Sequence, residues 1–572
     1  MWFEDWRPLS SPFAGCVVMP QSFRDLLPLI WIVAVVGAVV GSVVAASRST
    51  LPSHPWEVEP PSQVTRELAA RIDAVINVQI SAAGLEPAAL AEDVLVLRRM
   101  WLALAGTVPS VEELRRFEAD SRPDRLERWL AGILADRRSA DHLAGLLASA
   151  LTGNDGGPAF VFRRDRFTSW LADALHAGWS FKGIVAEMVA STGLWTGTPA
   201  VNFVTQAASA GQVDENTLAG RVARCFLGIQ FDCAQCHDHP FAPWTQTQFE
   251  GLAACFATVR ISPLGVRDSG PAVLRIETPM ASAGAMPPLT TDPDLKKPFI
   301  AGRRAVPQVP FGQPWFTGSG SSRAKLATWI THDENRRFGR AVANRCWAIA
   351  FGRPWHEPID DVPDPSVEPG ESDLLDILGC DFCAGTGDLR QTLAAICSTA
   401  AFRRASAHPG LNDPSRAAAV TTSWAAFPLS QLPPATMISA MIQATSLRTI
   451  DPESPLFVRT IRFLRAVDFM REYGRSHPHE PATIPQALVR LNGRLARELC
   501  EANVFSGPGR VAGLSQSNTS RLDTAFLACL SRHPDASEQR MLIPLLEAGT
   551  PARGIEDLYW TLFNSAEFCW NH

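Results

Sequence analysis

Residues 230–241 read QFDCAQCHDHPF, which places Cys233, Cys236, His237 and His239 within a few positions of one another. In the run C-A-Q-C-H, two thiols are spaced to meet the two vinyl groups of a haem. The next residue is a histidine whose imidazole can ligate the iron. With 12 Cys and 12 His in the chain, this pattern arises by chance in roughly one chain in a few hundred. On this reading Cys233 and Cys236 carry haem c and His237 is the iron ligand. No sixth ligand is evident. Met280 and Met286 follow in a Pro-rich segment, and His239 is too close in sequence to reach the opposite face of the ring.

Other chemistries fit the same residues. Cys233, Cys236 and His239 are good zinc ligands. Asp238 and Trp244 would support either group from outside the ligand set. Adjacent ligands at 236 and 237 strain a single tetrahedral site, which Cys380 and Cys383 could complete from a distance. A redox dithiol is a third reading, but no βαβ pattern surrounds the motif. A disulfide or buried Cys/His cluster that only fixes a turn needs no cofactor at all. The acidic loop 357–376 could hold a cation through Asp360, Asp361 and Asp364. It lacks the D-x-D-x-D-G spacing, so a solvated loop is the plainer expectation. The chain has no Gly-x-Ser-x-Gly, His-Glu-x-x-His or phosphate loop, and no catalytic residue is assigned.

The elements around the motif read as helices. ENTLAGRVARCFLGIQF (215–231) sets Leu218, Val222, Cys225, Phe226 and Ile229 on one face. Behind the motif, Thr245 and Gln248 form a capping-box pair, with Trp244 and Phe249 at the hydrophobic-staple positions. The Cys/His segment is therefore expected in a short turn between two helices. Further helices start at Ser110, with Glu113 as its capping partner, and end at Gly84 and Gly352. Cys380 and Cys383 form a second C-x-x-C without a following histidine, expected as core cysteines or a local disulfide.

The chain has 572 residues, 46% of them hydrophobic and 19% charged, with a formal net charge of −6 and a pI near 6.1. That length exceeds one core, and that charge gives no basic face for nucleic acid. Residues 26–46 carry no charge and are long enough to span a bilayer. They are read as a transmembrane or signal-anchor helix, with a cleaved signal, or a start at Met19, as the alternative. The rest is then a periplasmic body anchored to the cell membrane, or a secreted one. The expected fold is mainly α, with two helical domains. Its divisions are a short segment 1–25, the anchor 26–46, a tether 47–65, a helical domain 66–261 with the CxxCH, a Pro/Gly/Ser-rich linker 262–322 and a second helical domain 323–572.

Four stretches carry a resemblance: EPAALAEDVLVLRRMWLALAGTVPSVEELRRFEAD, CFLGIQFDCAQCHDHPFAPWTQTQFEGLAACFA, AKLATWITHDENRRFGRAVANRCWAIAFGRPWHEPIDDV and LFNSAEFCWNH. They are similar to two domains of unknown function, 1549 (N-terminal) and 1553 (C-terminal), which occur together in exported planctomycete proteins, often fused to a cytochrome c domain. The chain departs from the usual pattern at Asn335-Arg336, where relatives have Asn-Pro, and in a trimmed LRRMWLALAG. The resemblance implies redox or electron-transfer work with a protein partner at the cell surface. It also permits a binding or scaffold role toward polysaccharide or protein.

Overall fold

A computed structural model describes residues 58–153, 161–209, 212–270, 272–276, 301–311, 314–365, 373–451, 454, 456–473, 483–503 and 506–572. These residues are mainly helical. The expected anchor 26–46 lies outside them, as do Met280 and Met286. Among the described residues no helix is long and apolar enough to cross a membrane.

The helices begin where the local chemistry allows. Ser62 caps Gln63–Ala82, whose inward face is Leu68, Ile72, Ile76 and Ile80. Ser110 and Glu113 close a full capping box on Val111–Ala119, and Thr245 and Gln248 close another on Gln246–Ala254. Each box satisfies two N–H groups that the first turn leaves unpaired. Gly352 ends Arg336–Phe351 in the left-handed conformation.

Residues 262–322 do more than link. Val259–Ser262 pairs antiparallel with Gly265–Asp268, and Val273–Ile276 pairs with Ala301–Arg304. Val266, Leu274 and Val309 are buried in the same core as the helices before and after them. Arg323, fully buried, grips the first hairpin through Asp268 at 2.7 and 2.9 Å. It also donates to the carbonyls of Val189 and Ser191.

The hydrophobic interior divides further along. One core runs from Leu68 to Phe427 and takes in helices on both sides of 262–322. A second gathers Leu432 to Cys569. The two exchange side chains at their shared wall. Trp101 and Leu104 of the π-helical turn Trp101–Ala105 enter the first core, while Leu102 enters the second with Val108. In return, Leu527 and Ala528 of the second body reach into the first core. Burying each large apolar side chain is worth about 1.5–3 kcal/mol, so this exchange couples the bodies strongly. Arg98, wholly buried, reinforces it by donating to the Cys529 carbonyl at 2.8 Å.

Candidate functional site

The helix Glu215–Val222 continues into a π-helical turn, Ala223–Leu227, and stops at Gly228 with φ of +61°. The expected helix therefore ends four residues early, at Leu227, because only glycine takes this conformation cheaply. Ile229 and Phe231 then anchor the chain in the core. A 3₁₀ turn follows over Asp232–Gln235. Cys233 inside the turn and Cys236 just after it are both exposed, while Ala234 between them is fully buried and pins the turn. Both thiols are free.

The loop closes on itself. The His239 N–H donates to the Trp244 carbonyl at 2.8 Å, and the Gln246 N–H donates to Asp238 Oδ1 at 2.8 Å. Below it lies a column of rings. Phe231 meets Trp244 at 5.6 Å and Phe249 at 5.4 Å, so the two staple residues meet across Phe231. Trp244 touches Phe311, which stacks on Trp329. The Arg337 guanidinium lies over both Trp244 and Phe311, at 5.2 and 5.1 Å. Trp244 is thus a packing support for the turn.

The two histidines are set in opposite senses. His237 Nδ1 lies 2.7 Å from the Asp238 carbonyl oxygen. A carbonyl only accepts, so Nδ1 carries the proton and the exposed imidazole keeps its lone pair at Nε2. His239 Nδ1 instead accepts from the Phe241 N–H at 3.2 Å, so its own lone pair is occupied. That arrangement works against His239 as a ligand beside Cys233 and Cys236. Among the described residues no group of three or more His, Cys, Asp or Glu side chains is placed to hold a metal ion. Cys380 and Cys383 sit on Leu374–Ala384, one exposed and one buried, both free; the structure forms no disulfide there and no metal group with the turn.

Two family models match the chain in order. PSCyt2, a protein of unknown function (DUF1549), covers residues 71–261, and PSD1, a protein of unknown function (DUF1553), covers 322–460. The chain belongs to the family that pairs these two domains. No curated protein and no solved structure matches it.

The CxxCH turn lies in the PSCyt2 domain, and the ring column carries it into the PSD1 domain at Trp329 and Arg337. The acidic loop, also in the PSD1 domain, packs beside the turn. Asp360 accepts from the Gln230 side-chain amide at 3.0 Å, Asp364 pairs with Arg337, and the Asp361 N–H donates to Pro358. The Asp360 and Asp364 carboxylates thus have separate partners, and among the described residues the loop forms no group placed to hold a cation. Sequence reasoning missed Phe311 and Arg337 as neighbours of the motif. Each lies more than 60 positions away, where no local spacing signals a contact.

Proposed function

We propose that the PSCyt2 domain carries a haem c on Cys233 and Cys236, with His237 Nε2 as the iron ligand, in a membrane-anchored, extracytoplasmic electron-transfer protein. The observation that carries this reading is the turn's arrangement. Two free, exposed thiols lie in and at the end of a 3₁₀ turn, and the adjacent histidine is held in the tautomer that leaves Nε2 open. A metal-ligating histidine is typically fixed by such a bond from its other ring nitrogen. The uncharged stretch 26–46 supports the anchor, and the name PSCyt2 points toward a cytochrome. When bound, a haem supplies one-electron exchange between ferric and ferrous iron. The chain's part is to hold the ring at the surface, within reach of a redox protein partner, and to fix His237 by the Asp238 carbonyl.

The test is a peroxidase-type haem stain of a denaturing gel together with an absorption spectrum. The full chain is exported in a host that matures c-type cytochromes. A stained band with a sharp reduced α-band, lost in Cys233→Ala, is the expected result. A colourless, well-folded protein overturns the reading and favours a binding or scaffold role with a structural turn.

A further inference from the structure

The helix Leu456–Tyr473 carries two apolar stripes, and one of them serves the interior. Phe469 and Tyr473 are buried in the second core with Ala466 packed against it, and Arg462 donates to Ser439 Oγ at 2.9 Å. The other stripe faces solvent. Phe463, Val467 and Met470 recur at the i, i+4, i+7 spacing of one helix face, and all three are exposed, Phe463 by 66%. Leu464 stands beside them, 55% exposed. The helix Ile484–Asn492 packs on this one and exposes Ile484 and Leu488, again one turn apart. Single exposed apolar side chains are ordinary, but a run of them along one face marks a surface that meets something else.

Charge selects the occupant. Leu456–Tyr473, Ile484–Asn492 and Arg494–Cys500 hold seven arginines against three carboxylates, in a chain of formal net charge −6. Arg471, exposed and four residues after Val467, continues the stripe, and Arg497 is exposed on the last of these helices. Asp468, four residues after Leu464, flanks the stripe on its other edge. Apolar side chains bordered by arginine suit a membrane interface, where the apolar groups enter the headgroup layer and the guanidiniums meet lipid phosphate. A second copy docked stripe to stripe would set the arginines against one another, whereas anionic lipid neutralises them. Residues 47–62 reach at most about 55 Å when extended, so an anchor at 26–46 holds the body close to the bilayer.

We propose that Phe463, Leu464, Val467 and Met470, with Ile484 and Leu488, form a face that docks on anionic phospholipid. This rests on the anchor reading and is independent of the haem.

The full chain is reconstituted in vesicles of phosphatidylcholine, alone or in equimolar mixture with phosphatidylglycerol. It carries Phe463→p-benzoylphenylalanine, Val467→p-benzoylphenylalanine or, as control, Val306→p-benzoylphenylalanine. Val306 is 71% exposed and lies outside these helices. Each probe replaces an exposed side chain, so the cores are untouched. On illumination the ketone inserts into a C–H bond lying against it, and the products are read by mass. The expected result is phospholipid adducts at 463 and 467 several-fold above the control in the mixed vesicles. Arg471→Gln should lower that yield about fivefold, and salt should lower it as well. An alkaline carbonate wash shows separately whether the chain stays with the vesicles. A chain that stays but gives control-level adducts overturns the docking and leaves the anchor standing. A chain that washes off overturns both. Equal yields in the two kinds of vesicle overturn the anionic recognition, and a product of twice the protein mass reassigns the face to a second copy.

Discussion

The Val362 N–H donates to the Gly228 carbonyl at 2.8 Å, and the Val362 side chain stands where a Cβ on Gly228 would lie, 2.9 Å away. One glycine thus joins the end of the π-helical turn to the acidic loop. Gly228→Ala meets two penalties, a left-handed backbone and this contact. The expected loss is about 2 kcal/mol or more, read as a lower urea midpoint. Val362→Ala in the same chain should recover part of the loss, and strict additivity of the two would count against a direct contact.

Among the described residues Arg323 has one carboxylate partner, Asp268, and both side chains are largely shielded from solvent. Asp268→Asn leaves a buried guanidinium without its counter-charge. Removing one partner of a buried pair costs about 3–5 kcal/mol. Chemical denaturation should show this loss, while replacing both residues with apolar side chains of similar volume should cost less. A single variant with a wild-type midpoint would show that the hairpin does not depend on the pair.

His533 bridges the two bodies, pairing with Asp523 and, at 2.9 Å, with Glu118. The hydrogen bond with Asp523, then the one with Glu118, outweighs desolvation and raises its pKa above the ordinary 6.5. A raised histidine adds stability that is fully present below pH 6.5 and is lost as pH rises through the folded value. His533 is more than half exposed, so each pair is worth less than about 1 kcal/mol. The urea-midpoint gap between wild type and His533→Gln should be widest below pH 6.5 and close at alkaline pH. A gap that grows with pH would reverse the assignment.

Gly339 and Gly379 let Arg336–Phe351 and Leu374–Ala384 cross at backbone contact. A Cβ on Gly339 would meet the Gly379 carbonyl oxygen at 2.6 Å, and one on Gly379 would meet the Gly339 carbonyl carbon at 2.7 Å. Backbone cannot yield as a side chain does. Gly339→Val should cost about 1–3 kcal/mol by overpacking. Differential scanning calorimetry should show a lower Tm, and an unchanged Tm would mean that the crossing is looser than described.

Local signals in the sequence were legible where the physics is local. The boxes at Ser110/Glu113 and Thr245/Gln248 form as their spacing implies, and the Cys/His segment lies between two helices as expected. The apolar face of 215–231 extends the expected helix to residue 231, whereas Gly228 ends it in the structure. In 262–322 the run LRIET is strand-like in sequence and Val273–Ile276 forms a strand, but the pairing into hairpins is not legible because strands of four residues carry no lasting alternation. The division of the interior was also invisible in the sequence. Leu102 and Leu104 look alike in a run of apolar residues, and only the π-helical turn sends them to different cores.

That exchange governs when the molecule can be finished. The first core takes Leu527 and Ala528 from a helix made long after its other members. During synthesis, apolar surface along the PSCyt2 and PSD1 domains stays uncovered until that helix has emerged. A chain stopped anywhere before it is left with an open wall rather than a smaller folded protein.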